Sequence, residues 1–317
     1  MWVTLGAAGT PPRAYFYQMT QKTPPVIDYE GSDYQEKFWG RGQRAYEDQS
    51  EAIALRHLLP AEGGRRLLEL GAGTGRNTPR YKNYQQVVLV DYSITQLKQA
   101  VDRLGISPRY RFVAADIYHL PFTTASFDTA TMIRTLHHMA DAPLALKQVE
   151  EALCGQAIFI LEYANKRNLK AVIRYLLGRQ KWSPFSPEVV EFVKLNFDFH
   201  PKTVQGWLTQ LGFQIESQRT VSHFRLGLFK KVLPLKLLVW LDAVLQPTGS
   251  LFQLTPSIFV RARKDQPAAV VPEKLIFRCP ACGFSPIQDT PPVLICSSCK
   301  RIYPVRDGIY DLRLNAD

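Results

Sequence analysis

The strongest chemical signal in the sequence is a glycine-rich turn that follows an apolar run. The run Leu67–Leu70 carries one acid, Glu69, and leads into Gly71–Gly75, which has glycine at positions 71, 73 and 75. Glycines at alternating positions permit positive φ and let the backbone approach a ligand closely. We therefore expect a buried strand, a ligand-binding turn and then a helix. Nucleotide dehydrogenases also place glycines after their first strand, so the turn alone does not name the ligand.

Two further acids follow later apolar runs. Asp91 ends the run 87–90 and is suited to binding the two hydroxyls of a ribose, a device that dehydrogenases share. Asp116 ends the run 112–115 and could accept a hydrogen bond from an adenine amino group. The apolar neighbour Ile117 could cover the adenine ring. Together these acids predict a nucleoside-containing cofactor.

A histidine pair lies after the next apolar run. Ser126–Asp128 leads into a stretch that contains Arg134, His137 and His138. Neutral imidazole titrates near physiological pH, so either histidine is a candidate catalytic base, and Arg134 is a weaker candidate for the same site. The alternative is that the pair only shapes the pocket.

Residues that could contact a second substrate are less well marked. We nominate Tyr34 and Trp39 ahead of the first strand, together with Arg134. A further candidate is the cluster after the fifth strand, in which two amides flank two cations; its members are Tyr163, Asn165, Lys166, Arg167 and Asn168. This cluster could bind an anionic group, or it could simply begin a solvated helix.

Four of the five cysteines form two matched pairs near the C-terminus. The spacing is CxxC, thirteen residues and CxxC, made by Cys279, Cys282, Cys296 and Cys299. Two such pairs supply the four thiolates that a tetrahedral zinc ion prefers. Closed coordination by four sulfurs predicts a structural ion. A redox CxxC is the alternative, and the fifth cysteine, Cys154, is expected to be a small buried residue.

The stretch from Leu67 to about Glu162 resembles the class I S-adenosylmethionine-dependent methyltransferases. It is most similar to the methyltransferase type 11 branch, which contains the ubiquinone and menaquinone methyltransferases. The resemblance rests on the glycine turn, Asp91, the Asp116–Phe122 sequence and Leu136–His138, which occur in the order that this family uses.

The resemblance implies a Rossmann-like α/β fold, with a seven-stranded sheet whose last strand is antiparallel. By this likeness the methionine portion of S-adenosylmethionine would meet the first strand and its turn, the ribose would meet Asp91, and the adenine would meet Asp116 and Ile117. The residues of the first strand and its turn that would contact the methionine portion are Glu69, Gly71, Gly73 and Gly75. Further implied contacts are Ala72, Tyr92 and Arg134. The histidine pair usually shapes the pocket in this family.

Residues 274–314 carry a second resemblance. The cysteines together with Ile302–Leu312 look like the small zinc-binding activator subunit of tRNA and release-factor methyltransferases. The resemblance implies a built-in partner that could cover an apolar face of the catalytic domain. Because that subunit serves enzymes of translation, RNA substrates stay open as an alternative.

Short apolar runs alternate with helical patterns around these residues. We expect strands at 66–70, 86–91, 110–115, 127–133 and 156–162, and helices at 94–104, 143–153 and 201–211. Further helices are expected within 34–59, and two late strands at 213–222 and 257–263. Alternating elements whose strands are apolar throughout indicate a parallel sheet covered on both faces.

Two inserts, at about 164–200 and 223–254, interrupt this pattern. Residues 165–181 contain six basic residues and no acid. The segment 226–254 is very apolar, but its helical part is too short and too interrupted to span a bilayer. It is expected to be a core helix or a lid over an apolar acceptor, with a membrane-surface helix as the alternative.

Composition sets the outer bounds. A hydrophobic fraction of 46% and a charged fraction of 21% exclude a disordered or membrane-spanning chain, and the net charge of +11 favours anionic partners. Cysteine usage predicts zinc in a reducing, cytoplasmic compartment. Residues 1–10 lack the features of a signal peptide, and Met19 is an alternative start. We expect a disordered N-terminus at 1–25, a methyltransferase domain at 26–264, a linker at 265–273 and a zinc-binding domain at 274–317.

The sequence thus predicts a methyltransferase that uses S-adenosylmethionine, contains structural zinc and acts on an apolar small molecule. An RNA (tRNA) methyltransferase and a non-catalytic regulatory protein that binds the cofactor are the alternatives. Salt-sensitive RNA binding would favour the first alternative. Peripheral contact with a membrane is also compatible with the basic, apolar inserts.

Overall fold

Eleven of the thirteen strands in the described residues form one mixed sheet with helices on its two faces. The computed structural model describes residues 24–27, 29–31 and 44–314. In this part of the chain the first five strands are β1 (Gly64–Leu70), β2 (Tyr84–Asp91), β3 (Tyr110–Ala114), β4 (Phe127–Met132) and β5 (Leu153–Ala164). These strands pair in the order β3-β2-β1-β4-β5, all parallel. Their apolar residues are buried, as expected for strands covered on both faces.

The sheet continues beyond β5 with two more strands, β8 (Phe213–Val221) and β9 (Ser257–Lys264), and β9 lies between β5 and β8. β9 is antiparallel to both of its neighbours, so β8 runs in the same direction as β1 to β5. The sequence β3-β2-β1-β4-β5-β9-β8 is the predicted seven-stranded arrangement with an antiparallel strand inserted last. A separate hairpin is made by β6 (Val190–Val193) and β7 (Asn196–Asp198).

The C-terminal segment extends the same sheet at its other edge. Its strands are β10 (Gln288–Thr290), β11 (Val293–Ile295), β12 (Ile302–Arg306) and β13 (Ile309–Asp311). β13 pairs in parallel with β3, so the described residues form one eleven-stranded sheet. The aromatic side chains of Phe122, Phe277 and Tyr310 stack across this junction. The cysteine-containing segment therefore shares a core with the first five strands.

Seven α-helices are present in the described residues. They are α1 (Ala45–Leu58), α2 (Ile94–Leu104), α3 (Ala142–Ala152), α4 (Leu169–Leu176), α5 (Pro201–Gln210), α6 (Gly227–Val232) and α7 (Leu235–Leu245). Local capping explains several starts: the side chains of Ser93, Asp141 and Asn168 accept hydrogen bonds from backbone N–H groups in the first turns of α2, α3 and α4.

One predicted element is wrong. The glycine turn does not lead into an α-helix; a short 3-10 turn at Thr78–Arg80 takes its place. Only thirteen residues separate Leu70 from Tyr84, and the turn itself uses the first of them. The remaining residues are too few for a full helix and a return to the start of β2. No helix N-terminus faces a ligand from this loop.

The two inserts contain α4, the β6–β7 hairpin, α6 and α7. Helix α7 packs on α1 through Leu238 and Val239, and the buried carboxylate of Asp242 accepts hydrogen bonds from the hydroxyl of Tyr46 and the backbone N–H of His223. No helix within residues 24–27, 29–31 and 44–314 is long and apolar enough to cross a bilayer, in agreement with the expectation for 226–254.

Candidate active site

A cleft of about 1080 Å³, including its open mouth, lies at the carboxyl ends of β1, β2, β3 and β4. In open parallel sheets this edge is where ligands bind. The cleft is lined by nine of the ten predicted cofactor contacts, namely Glu69, Gly71, Ala72, Gly73, Asp91, Tyr92, Asp116, Ile117 and Arg134. The tenth, Gly75, is not among the lining residues; a Cβ there would lie 2.8 Å from Leu104, so this glycine permits close packing on α2.

Asp91 is fixed in place by backbone groups. Its carboxylate accepts hydrogen bonds from the N–H of Gly73 at 2.8 Å and from the N–H of Ser93 at 3.0 Å, one on each oxygen. Each carboxylate oxygen has two lone pairs, so each can accept a second hydrogen bond from a ligand hydroxyl. The same contact ties the glycine turn to the end of β2. This geometry is suited to binding a diol.

Glu69 is buried at the floor of the cleft. Its carboxylate accepts a 2.6 Å hydrogen bond from the Thr78 hydroxyl and a longer one, 3.5 Å, from the Tyr81 hydroxyl. Burial raises the pKa of Glu69 to about 7, and these hydrogen bonds together with the charge of Arg76 only partly oppose the shift. A cationic ligand placed beside this group would favour its ionised form.

Asp116 lies at the end of β3 with Ile117 next to it. One carboxylate oxygen accepts a hydrogen bond from the N–H of Tyr118 at 2.9 Å, and the other lies 3.1 Å from the Nδ1 atom of His119. Both Asp116 and Ile117 are less than 10% exposed, yet both line the cleft. The pair offers a carboxylate acceptor and an apolar surface side by side, which suits a planar base.

The glycine turn needs two of its glycines for different reasons. Gly71 has φ of +64°, and a Cβ there would lie 2.1 Å from the Thr135 hydroxyl oxygen. Gly73 has φ of +53°, and a Cβ there would meet only the Gln96 side chain, at 3.8 Å. Gly71 thus allows the turn to pack on the loop after β4, whereas Gly73 leaves space in the cleft.

An ion-pair network joins the loops that follow β1 and β4 to α1. Arg76 binds Glu51 at 2.8 Å and also pairs with Asp48, while Arg134 donates from its Nε to Glu51 at 2.6 Å. Although burial alone would raise it, the pKa of Glu51 falls to about 2 because of these two guanidinium groups. No local pattern in the sequence indicates this network, since Glu51 on α1 and Arg134 are about 80 residues apart.

The two histidines have different surroundings. His138 lines the cleft, its Nε2 lies 3.2 Å from the Tyr29 hydroxyl, and its Nδ1 lies 3.3 Å from the Leu195 carbonyl. His137 is not a lining residue, and its Nδ1 has no hydrogen-bond partner among the described residues. Burial lowers the pKa of both rings, that of His137 most strongly, so both are neutral near pH 7.

A segment ahead of α1 covers part of the cleft. Val26, Ile27 and Tyr29 line it, and the Glu30 carboxylate accepts hydrogen bonds from the N–H groups of Ile94 and Thr95 at the start of α2. This contact lies just after residues 1–25, for which the sequence predicts disorder. The residues 1–23 of that prediction lie outside the described part.

The predicted acceptor contacts have mixed outcomes. Tyr34 and Trp39 lie outside the described residues. Tyr163 is fully buried, the Asn165 amide donates to the carbonyls of Gln253 and Thr255, and Lys166 is 1% exposed and donates to the Glu188 carbonyl. None of these, nor Arg167, is among the residues that line the cleft. Asn165 and Lys166 join the two inserts to the end of β5, because their side chains donate hydrogen bonds to backbone carbonyls of those inserts.

Asp198, which the sequence analysis missed, lies near the same edge of the sheet. It ends β7, which contacts the turn that holds His137 and His138. The next residue, Phe199, bonds through its N–H to the Ala164 carbonyl at the end of β5. Burial raises the pKa of Asp198 to about 6; Arg225 and Lys166 lower it, and Glu162 raises it further. No motif marks this acid in the sequence.

The four paired cysteines converge as predicted. Their sulfur atoms all lie within 4.8 Å of one another, with Cys279 and Cys299 3.7 Å apart and Cys282 and Cys296 3.5 Å apart. A tetrahedron with Zn–S bonds of about 2.3 Å has sulfur–sulfur edges of about 3.8 Å, so the set fits zinc. The Tyr303 hydroxyl lies 3.1 Å from the Cys279 sulfur, where it can donate to a thiolate. Cys154 is buried, as expected.

A side chain of the C-terminal segment contacts a residue that lines the cleft. Arg313 lies with its guanidinium 5.6 Å from the ring centre of Tyr92, and Tyr92 lines the cleft beside Asp91. Asp311 holds that guanidinium through two hydrogen bonds of 2.9 and 2.8 Å. The cysteine-containing segment is thereby connected to the ligand-binding edge as well as to β3.

Comparison with known proteins agrees with this geometry. Residues 68–161 match the family described as Methyltransf_11, methyltransferase domain. The chain is 30% identical to the 27-O-demethylrifamycin SV methyltransferase of Amycolatopsis mediterranei, over 43% of this chain and 57% of that protein. It is 27% identical to the ubiquinone/menaquinone biosynthesis C-methyltransferase UbiE of Stutzerimonas stutzeri, over 56% of this chain and 76% of that protein.

A solved structure shows the same fold. It is the structure described as a putative S-adenosylmethionine-dependent methyltransferase from Listeria monocytogenes, with a TM-score of 0.50 and 18% identity. The match covers 70% of this chain and all of that one. With the first of the two curated relatives, this chain aligns over little more than half of the relative's length.

Proposed function

We propose that this chain, whose residues 68–161 match a methyltransferase domain, uses S-adenosylmethionine to transfer a methyl group to an apolar small molecule. The observation that carries the proposal is the cleft at the carboxyl ends of β1 to β4, which brings Glu69, Asp91 and Asp116 around one glycine turn. These residues fit the cofactor. The Asp91 carboxylate, held at the end of β2 by the N–H groups of Gly73 and Ser93, lines the cleft where a ribose diol would lie; Asp116 with Ile117 suits an adenine, and Glu69 suits the cationic methionine end.

S-adenosylmethionine, when bound, supplies an already activated methyl group. The chain then has to orient the acceptor and exclude water. Val26, Ile27, Tyr29 and the ring of His138 line the same cleft, and the Tyr29 hydroxyl lies 3.2 Å from the Nε2 atom of His138. The fixed backbone contacts of Asp91 keep the turn in one geometry before any ligand arrives.

We propose that Asp198 is the base when the acceptor is a hydroxyl or a carbon acid. Such acceptors must lose a proton to react, and a base is most effective when its pKa is near the working pH. The pKa of Asp198 is raised to about 6 by burial, and this acid lies at the edge of the sheet where β5 ends. Asp198 is not among the residues that line the cleft, so the acceptor would have to extend beyond the cleft to meet it. His137 is the competing candidate, because its neutral ring has an unused Nδ1 among the described residues.

The acceptor is proposed to be apolar because of the inserts that flank this edge. By their names, the relatives described above are a methyltransferase of 27-O-demethylrifamycin SV and a C-methyltransferase of ubiquinone/menaquinone biosynthesis. An RNA acceptor remains the alternative suggested by the net charge of +11. Incubation with methyl-labelled S-adenosylmethionine and host extract, followed by separation of RNA, lipid and polar metabolites, tells the two apart. Label in RNA alone would reject the apolar acceptor.

Calorimetry tests the cofactor proposal directly. The purified chain should bind S-adenosylhomocysteine, and Asp91→Ala should weaken that binding while Asp102→Ala, an exposed acid on α2, should not. Equal binding by wild type and Asp91→Ala would reject the assigned role of Asp91. For Asp198→Asn, binding of S-adenosylhomocysteine should be unchanged while the turnover number falls and its pH dependence near 6 is lost. A normal pH profile in Asp198→Asn would instead favour His137.

For the C-terminal segment we propose a structural zinc ion held by Cys279, Cys282, Cys296 and Cys299, within a unit that spans residues 274–317 and follows a methyltransferase unit at 26–264. Support comes from the sulfur–sulfur distances and from the hydroxyl of Tyr303 beside Cys279. Four thiolates leave no open position on the ion, so it would have no part in methyl transfer. Metal analysis of chain purified without chelators should find about one zinc per chain.

A further inference from the structure

Helix α4 carries an apolar stripe that nothing in the described structure covers. Leu169, Ile173 and Leu176 recur at helical spacing, and they are 53%, 47% and 71% exposed. The opposite side of the helix contributes one buried residue, Ala171. A helix that buries so little of its apolar face within its own chain is typical of a helix that binds another surface.

The stripe continues onto the loop that precedes β9. The backbone N–H of Leu169 donates to the carbonyl of Leu254 at 2.8 Å, so the start of α4 lies directly against this loop. Leu251 and Phe252 in the loop are 78% and 67% exposed. We call these residues the apolar rim; its members are Leu169, Ile173, Leu176, Leu177, Leu251, Phe252 and Leu254.

The segment that contains α4 is basic. Residues 165–181 carry six basic residues and no acid. Lys170 and Arg174 are exposed and alternate with the apolar residues of α4. Exposed apolar side chains interleaved with cations are typical of helices that lie in the interface of an anionic bilayer. A protein partner would not require charges of one sign, and RNA would not require exposed leucines.

We propose that the apolar rim and its cations dock this protein on an anionic lipid surface. The proposal deepens the proposed function, since the rim lies beside the substrate edge: the Asn165 amide joins the loop 253–255 to the end of β5, and β5 ends at the edge that holds the cleft. An apolar acceptor dissolved in a bilayer would then enter the site from the docked face.

Vesicle co-sedimentation with the full chain tests the docking. Wild type should sediment with vesicles of equimolar phosphatidylcholine and phosphatidylglycerol, and much less with phosphatidylcholine alone. The double variant Leu176→Glu and Phe252→Glu should lose binding to both. The double variant Lys170→Glu and Arg174→Glu should lose binding to the anionic vesicles by at least a tenfold factor, since each surface cation contributes roughly a fivefold factor to the partition.

Matched controls separate the rim from general surface effects. Val270→Glu changes an apolar side chain that is 89% exposed elsewhere, and Lys147→Glu reverses an exposed charge on α3. Both should bind vesicles as wild type does. All variants should keep their affinity for S-adenosylhomocysteine, so a loss of docking and a failure of the cofactor proposal are read from different measurements.

Three outcomes would overturn the proposal. Wild type that sediments with neither kind of vesicle would exclude docking. A dimer in light scattering that Leu176→Glu and Phe252→Glu dissolve, without vesicle binding, would make the rim a contact between two copies. RNA binding that the charge reversals abolish and the apolar substitutions leave intact, again without vesicle binding, would make the basic inserts an RNA surface.

Discussion

The two glycines of the binding turn give a sharp test of the site, because the structure assigns them different tasks. Ala at position 71 would place its Cβ 2.1 Å from the Thr135 hydroxyl oxygen, 2.6 Å from Cγ2 and 2.9 Å from Cβ. Thr135 cannot easily turn away, since its hydroxyl donates to the carbonyls of Leu70 and Ile133 at 3.2 and 3.1 Å. Ala at position 73 would meet no atom closer than 3.8 Å.

The magnitudes follow from these contacts. Both substitutions force a side chain into positive φ, which costs about 1–2 kcal/mol. Gly71→Ala adds overpacking of a further 1–3 kcal/mol, roughly, so its free energy of unfolding should fall by about 2–5 kcal/mol. Gly212→Ala, at φ of +77° with no atom within 4 Å, measures the backbone cost alone. Gly73→Ala should match that control in stability.

Urea unfolding and calorimetry with S-adenosylhomocysteine check the two tasks separately. Gly73→Ala should weaken ligand binding, because its new methyl lies in the cleft, whereas Gly212→Ala should not. Adding Thr135→Ala to Gly71→Ala removes two of the three close contacts and should restore part of the lost stability. The reasoning is refuted if Gly71→Ala is at least as stable as Gly212→Ala, or if Gly73→Ala binds the ligand as wild type does.

Three other changes are expected to have defined effects. Burial raises the folded-state pKa of Glu69 to about 7, so this carboxyl stabilises the ligand-free chain below about pH 4.5 and the contribution is lost as pH rises through 7. The change in the free energy of unfolding is on the order of 3 kcal/mol. Glu69→Gln should flatten this dependence in urea titrations from pH 4 to 8. A wild-type slope in Glu69→Gln would contradict this. Cys296→Ser should abolish the zinc found in metal analysis and lower the melting temperature, because Phe277 and Tyr310 couple the cysteine segment to the core. A metal-free chain with an unchanged melting temperature would disprove this coupling. Arg313→Ala should weaken S-adenosylhomocysteine binding severalfold. A cation over an aromatic ring contributes about 0.5–1 kcal/mol at exposed sites, and the Arg313 guanidinium orders the ring of Tyr92. Unchanged affinity would show that the contact does not matter for the ligand.

Local spacing determined a large part of this protein. Apolar runs of four to seven residues predicted β1 to β5 to within a few residues, and the antiparallel strands β8 and β9 were found in the same way. Strand ends marked Asp91 and Asp116, since residues that close parallel strands meet at one edge of the sheet. The cysteine spacing predicted a cluster that the structure brings together. These features lie in short stretches of sequence, so the stretch itself contains the information.

Other parts depended on packing between distant segments. The missing helix after the glycine turn follows from how few residues connect β1 to β2. Asp198 reaches the acceptor edge only because the β6–β7 hairpin folds back against β5 and the histidine turn. Asn165 and Lys166 looked like ligand contacts, yet buried carbonyls of the inserts take their hydrogen bonds.

The attachment of the cysteine segment illustrates the same division. The cysteine cluster could be predicted from the sequence, but the pairing of β13 with β3 and the contact of Arg313 with Tyr92 could not. Arg313 and Tyr92 are more than 200 residues apart, and neither has a neighbour that predicts the other. A sheet edge accepts any strand that presents matching backbone groups, so the choice of partner is made by the side chains that the two faces bury together, and only the folded chain brings those into contact.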